Sequence, residues 1–348
     1  MKKSIVQFGF CLVILISVIA FFGGNAWSKE ALPQSIYIAT GPPGGYQYLT
    51  ITYLGNLTKS KYGMGMTPVG GGSDLNIAKI IKGEVLIGNV VSEPGFSAYR
   101  GKSTAATREQ AQNNLRLIAS TDEAPFLFTV KKDSGINSPA DLKGKGLMAR
   151  YTTFLYSADV IKYVLEGYGV DPGSVRMVKG TTGTDGYTSF KDRLIDSFFA
   201  PLPTPHHFWE ELCKDYNAKV FGVEKKEARA RVIDNMPAVT ESIVPKGTYP
   251  GQAEDIHTVA VTNNWLGNKN TPDRVVEIFL DELYNPKNRE QLIKLHTILK
   301  QYSLERAVKN PQLPFHEAAV KYYKKVGVWT PELEKKQQSL LKLGGQVK

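Results

Sequence analysis

Residues 36–53, IYIATGPPGGYQYLTITY, constrain the fold more than any other stretch of the chain. A short β-branched and aromatic run (Ile36, Tyr37, Ile38) stops at Gly41 and passes through Pro42, Pro43, Gly44 and Gly45. It then enters a segment with Tyr46, Leu49, Tyr53 and Leu57 at helical spacing, so the stretch reads as strand, glycine turn, helix. Pro42 and Pro43 fix φ and remove N–H donors, while Gly44 and Gly45 let the backbone turn tightly and lie close to something small. The first helical turn then offers unpaired N–H groups, which suit an anion such as a carboxylate. An ordinary strand-to-helix turn without a ligand carries the same local signature, so the rest of the chain has to decide.

The pattern recurs. Pro68 and Val69 lead into Gly70-Gly71-Gly72-Ser73-Asp74, and Leu75, Ala78 and Ile81 predict a short helix that Gly83 ends, with Ser73 or Asp74 as its cap. An apolar strand over 85–91 follows, its end marked by Asn89, Ser92 and Glu93, with a helix from Pro94 to Tyr99. Ligands collect at the carboxyl ends of strands in open α/β sheets, so the turns at Gly44 and Ser73 and the tip at Asn89 are expected to converge on one cleft. Residues 115–119 and 126–131 read as two further strands, 194–199 and 258–261 as others, and 272–284, 289–300, 315–326 and 331–342 as C-terminal helices.

A chain of 348 residues exceeds what one compact core usually holds, so two lobes are expected. The N-terminus belongs to neither. Lys2 and Lys3 precede an apolar run from Phe8 to Phe22, then Gly23, Gly24 and Ala26-Trp27-Ser28, which match a secretory signal peptide over residues 1–28, cut near Ser28. A periplasmic protein that does not span the membrane after cleavage follows. Cys11 leaves with the signal, and Cys213 alone then permits neither an intramolecular disulfide nor a cysteine metal cluster. The formal net charge of +10 falls to +8 without Lys2 and Lys3, and the lysines are scattered with no block longer than a pair, so a solvated surface and no nucleic-acid partner are expected.

Enzyme signatures are missing: no GxSxG elbow, no Walker lysine, no GxGxxG and no HExxH. His206 and His207 beside Trp209 and Glu210 raise a metal site, but adjacent side chains diverge and no third ligand is specified. The expectation is therefore no catalytic residue, no metal and no cofactor. His316, in LPFHEAAVKYY, reads as a helix cap.

The elements ATGPPGGYQY, GGGSDLNIAKIIKGEVLIGNV, EPGFSAYRGK and RLIAS, followed in order by KKDSGINSPADLKGKGL, RLIDSFFAPLPTP, IVPKGTYPGQAEDIHTVAV and LPFHEAAVKYYKKVGVW, resemble the TAXI family of solute receptors, the extracytoplasmic binding proteins of TRAP-type transporters. The likeness runs through essentially all of the chain after the signal. It implies an α/β protein of the two-lobed, type II-like periplasmic-binding-protein fold, with residues 29–129 plus 259–348 as lobe I and 130–258 as lobe II. Two crossing strands near Val130 and Val259 would form the hinge. It also implies capture of a small anionic solute and delivery to membrane permease subunits; an exported enzyme or a receptor for a sensor kinase are the alternatives.

The resemblance carries ligand-binding roles to Gly44, Gly45 and Tyr46 in the first turn, Ser73 and Asn76 in the second, Asn89 and Ser92 at the strand tip, and Pro203 and Thr204 in the loop of lobe II. At residues 150–156, RYTTFLY, the chain departs from the small glycine- and serine-rich turn of its relatives. Thr152 and Thr153 remain as short polar groups there, and Arg150 is expected to clamp a carboxylate in place of the missing N–H nest, with Phe154 and Leu155 buried in lobe II. The expected ligand is an anion with an apolar or aromatic portion.

Overall fold

A computed structural model describes residues 32–343. The expected signal peptide lies outside the described residues.

The chain begins with three strand-and-helix units: β1 (Ser35–Thr40) and α1 (Tyr46–Tyr62), β2 (Gly65–Gly70) and α2 (Ser73–Lys82), β3 (Ile87–Val91) and α3 (Ser92–Tyr99). After α4 (Arg108–Asn114) comes β4 (Leu115–Lys131), a single strand of 17 residues where the sequence suggested two. The polar residues 120–123 that interrupt its apolar run do not break it, because the antiparallel β10 (Ile256–Asn268) pairs with it on both sides of the interruption. Between them lie β5 (Gly146–Tyr151), α5 (Ser157–Gly167), β6 (Arg176–Gly180), α6 (Gly183–Lys191), β7 (Ser197–Pro201), α7 (His207–Asp215), β8 (Ala218–Phe221), α8 (Lys226–Asn235) and β9 (Thr240–Val244). Helices after β10 include Asp273–Leu283, Pro286–Leu295, the 3-10 turn Thr297–Gln301, Glu317–Lys325 and Pro331–Leu343.

The described strands make one sheet in the order β2-β1-β3-β10-β4-β7-β5-β6, with β8 on β4 and β9 on β10. Strands β1, β2 and β3 are mutually parallel, as are β5, β6 and β7. Apolar side chains divide this sheet into two lobes. Those up to Ala119 and from Trp265 onward share one core with α1 and the C-terminal helices. Those from Ala124 to Val261 form two clusters in the second lobe. The changeover falls within β4 and β10, a few residues before Val130 and after Val259.

Local chemistry explains the elements. Helix α1 ends at Gly63 with φ 74, and α2 at Gly83 with φ 74, a left-handed conformation that glycine adopts without steric cost. Ser73 is the first residue of α2 and not its cap, the N-cap position being Gly72. His316 caps the helix Glu317–Lys325, its Nδ1 accepting from the Ala318 N–H at 3.2 Å. Cys213 is a buried free thiol that burial pushes up to about 11.

Candidate ligand cleft

The C-terminal ends of β1, β2 and β3 feed the N-termini of α1, α2 and α3, and those of β5, β6 and β7 feed α5, α6 and α7. The two lobes meet along this line. Ser92 Oγ donates to the Ala238 carbonyl of the second lobe at 2.8 Å and accepts from the Thr262 N–H at 3.1 Å. Val91, from the first lobe, packs against a second-lobe core. Gln301 Nε2 donates to the Thr204 carbonyl at 3.1 Å, while Gln301 Oε1 accepts from the Glu123 N–H at 3.2 Å. One side chain thus ties a crossing strand to the second lobe's loop after β7.

At the crossing, Glu123 pairs with Thr262 and Ser120 with Asn264, so two residues of β4, Thr121 and Asp122, stand against the single Asn263 of β10. This is a β-bulge. Its polar groups are satisfied locally: Thr121 Oγ1 donates to the Asn263 carbonyl at 3.0 Å, Asn263 Nδ2 donates to Asp122 Oδ2 at 2.9 Å, and Tyr46 Oη donates to Asp122 Oδ2 at 2.6 Å. Asp122 is fully buried, and that burial raises its pKa against the opposing hydrogen bonds from Tyr46, Asn263 and Thr121. Burial likewise raises Tyr46 well above the ordinary phenol range, with the Asp122 charge adding to it.

The Tyr46 ring lies 5.4 Å from the ring of His296, which caps the 3-10 turn Thr297–Gln301. Across the seam, His206 caps α7 and stacks on His207 at 4.6 Å. Burial and then the neighbouring charges of His207 and His296 push His206 down to about 3, and burial and His207 lower His296, so both rings are neutral at neutral pH. At another part of the seam, burial raises the pKa of Glu93, with the charges of Asp159 and Asp74 adding to it and Ser97 opposing by donating at 2.8 Å. Five of the six helices at the strand ends carry an acid in the first turn: Asp74, Glu93, Asp159, Asp185 and Glu210. Helix α1 carries none, and its N-cap, Gly45, makes no side-chain cap bond. Its positive end is therefore the one left without a carboxylate of its own.

A family model described as the NMT1-like family matches residues 38–327. The chain belongs to the NMT1-like family. The fold of this NMT1-like chain is that of periplasmic binding proteins, two-lobed and type II-like. Among solved structures, a periplasmic transporter is similar at a TM-score of 0.52 and 11% identity, over 90% of this chain and 96% of that one. The periplasmic binding protein BugD is similar at 0.49 and 13%, over 90% and 99%. The periplasmic aliphatic sulphonate binding protein SsuA from Escherichia coli is similar at 0.47 and 14%, over 90% and 87%. No helix among the described residues is long and apolar enough to cross a membrane.

Within the NMT1-like chain the sequence-expected residues fall into three groups. Gly44 (φ 82) and Gly45 form the turn that opens α1 at Tyr46, and Thr204 accepts at its carbonyl from Gln301. Tyr46 turns its hydroxyl inward to Asp122, so its ring supports His296. Pro203 is half-buried beside Thr204; Thr152 and Thr153 are exposed at the end of β5, each holding β6's end through its N–H, Thr152 to Gly180 at 3.0 Å and Thr153 to Thr181 at 3.1 Å. A second group hydrogen-bonds to the protein's own backbone. Asn76 Nδ2 donates to the Thr40 and Asn89 carbonyls at 3.1 and 2.8 Å, Ser73 Oγ accepts from the Val91 N–H at 3.1 Å, and Asn89 Nδ2 donates to the Asn264 carbonyl at 3.3 Å. With Ser92, these side chains tie the strand tips together. Arg150 stands apart: it is exposed and lines a surface depression with Asp159, Lys162, Glu166 and Asp171, on the other side of β5 from the buried Tyr151. Phe154 packs between both second-lobe clusters, whereas Leu155 is 62% exposed.

Sequence reasoning did not single out Asp122, Asn263, Gln301 or His296, and it discounted His206 and His207. A signal existed in the matched polar interruptions, STDE within residues 115–131 and TNN within residues 256–268. Among the described residues, no group of three or more His, Cys, Asp or Glu side chains is disposed to hold a metal.

Proposed function

We propose that this protein is an extracytoplasmic solute receptor that captures a small organic anion by hinge closure and hands it to membrane permease subunits. The observation that carries this reading is the pairing of two separately packed lobes, joined by two adjacent strands, with six strand ends and six helix starts along their seam. Such an arrangement lets a solute be enclosed by a bend of a few residues, with no covalent chemistry. The periplasmic proteins of similar fold support an exported location, and the signal-like residues 1–28 agree with it. The TRAP-type permease partner follows from the sequence resemblance to the TAXI receptors.

The anionic character of the solute is argued from α1. Its first-turn N–H groups lie without an acid of their own, beside the His296 ring and close to the glycine turn. Exposed Leu155 offers the second lobe's rim for an apolar portion of the solute.

Mass spectrometry of the small molecule released from gently isolated protein tests the reading. One carboxylate-bearing compound, bound at about one per chain and recovered chemically unchanged after incubation, is the expected result. Conversion of that compound by the protein would make it an enzyme and overturn the receptor reading.

A further inference from the structure

We propose that His206 and His296 form a two-point donor clamp, one imidazole from each lobe, that closes on an anionic oxygen of the solute. The inference deepens the receptor reading and rests on it. In both rings Nδ1 is already committed: His206 Nδ1 accepts from the Phe208 N–H at 3.2 Å, and His296 Nδ1 accepts from the Ile298 N–H at 3.2 Å. A neutral imidazole that accepts at Nδ1 carries its proton on Nε2, on the far side of the ring. Each cap therefore fixes one tautomer and turns a single N–H donor away from its own helix. Among the described residues, neither Nε2 has a hydrogen-bond acceptor.

The two donors belong to the same junction. Gln301, at the end of the 3-10 turn that His296 caps, donates to the carbonyl of Thr204, two residues before His206. His206 is held by its stack on His207 and by edge contacts to Phe208 and Trp209 at 4.6 and 6.0 Å, and His296 by Tyr46, itself anchored on Asp122. Rigid support on both sides makes the gap between the donors a function of lobe closure alone. The pair thus reads whether the lobes have come together on an acceptor. The rings are kept neutral, so they contribute directed hydrogen bonds without a buried positive charge. An anionic oxygen that reaches both, next to the positive end of α1, gains two hydrogen bonds and the attraction of the helix dipole, whereas a cationic group has no acceptor to offer. The acids Asp74, Glu93 and Asp159 make the other part of the seam unsuitable for the same group.

The test uses the full chain as purified, labelled with 15N at its histidines, and four probes: succinate, L-glutamate, benzoate and methanesulfonate. Calorimetry reports binding, and the imidazole 15N resonances report which ring atoms are involved. The carboxylate and sulfonate arms separate the two sources of an anionic oxygen. At least one probe is expected to bind and to move the Nε2 resonances of His206 and His296 together to saturation, with His316 unmoved. His206→Asn and His296→Asn each keep an oxygen able to cap the helix and lose the Nε2 donor. Each is expected to weaken that probe by about tenfold to a hundredfold at unchanged melting temperature. A probe that binds without moving either Nε2, or that binds the two variants as it binds the wild type, overturns the clamp and leaves the receptor reading standing. Failure of all four probes to bind overturns the clamp as a site for an anionic oxygen and leaves the receptor reading to the co-purified compound.

Discussion

Asn263 and Asp122 meet at 2.9 Å where the two crossing strands slip by one residue, so the joint between the lobes is held by a side-chain pair and not by a regular ladder. Bulges bend and twist the strand that carries them. Here the bulge carries a buried carboxylate whose acceptor atom, Oδ2, serves both Asn263 and Tyr46.

Asp122→Asn is expected to leave stability unchanged or to raise it by about 1 kcal/mol, because the amide oxygen can still accept from Tyr46 and Asn263 while the desolvation cost disappears. Asp122→Ala leaves the buried Tyr46 hydroxyl without its acceptor and Asn263 Nδ2 with Tyr46 Oη alone, and should lower stability by about 2 to 4 kcal/mol. Urea unfolding monitored by fluorescence checks both. Equal losses in the two variants would mean that the negative charge itself is needed.

Asn76→Ala removes the amide that bridges the Thr40 and Asn89 carbonyls and leaves the tips of β1 and β3 unlinked. A loss of about 1 to 3 kcal/mol in unfolding free energy is expected, from two buried acceptors left unpaired. Denaturant titration of the protein without solute measures it. A variant as stable as wild type would return Asn76 to a role in solute contact.

Arg150→Ala is expected to leave solute affinity within about twofold, since the exposed guanidinium faces the depression shared with Asp159 and Glu166. The sequence suggested a carboxylate clamp here because a guanidinium at a strand end has the right donors. Strand alternation puts Tyr151 on the buried side and leaves Arg150 exposed, which is why a small effect is expected. Calorimetry with the co-purified solute is the measurement.

Much of the architecture was legible in the sequence because glycine turns and apolar runs are local signals. The helix after Gly45 starts where the pattern places it, the next starts at Ser73, which was expected to cap it, and Gly83 ends α2 as read. The single strand β4 was not legible: its continuity across Ser120, Thr121, Asp122 and Glu123 is enforced by β10, more than a hundred residues away. The same distance hid the polar joint. Asp122, Asn263 and Tyr46 look unrelated until the sheet brings them together, and His206 and His296 gain meaning only from the partners of their Nδ1 atoms.

Stability should fall on acidification through the histidine range. Free imidazole titrates near 6.5, while His206 in the folded protein is pushed down to about 3. Between those values the unfolded chain takes up a proton that the folded chain refuses, so stability is complete above about 6.5 and is lost as pH falls, at no more than about 1.4 kcal/mol per pH unit for this one site. Asp122, whose pKa is raised by burial, contributes with the opposite sign, so the difference between wild type and His206→Asn is the quantity to measure. Denaturation midpoints of the two proteins, alike near neutral pH, should diverge on acidification, with the wild type falling below His206→Asn. Parallel curves would place His206 in a more open setting.

Gln301→Ala removes the link from Glu123 to the Thr204 loop without touching either apolar core. The lobes should separate more easily, seen as a larger radius of gyration in solution scattering and an affinity lower by about three- to tenfold for the co-purified solute. An unchanged radius would show that other contacts hold the seam.

The position of β10 bears on how the molecule comes to be made. It lies between β3 and β4 in the sheet, yet it is synthesised only after the whole second lobe. During vectorial synthesis the first lobe has β1, β2, β3 and β4 long before the strand that joins β3 to β4, and its sheet stays incomplete until residues 256–268 emerge. The second lobe can gather its own core while the first waits, so the order of assembly is inside-out: the inserted segment first, then the body that brackets it. A chain arranged in this way completes its larger half only after the inserted lobe and β10 have both been made.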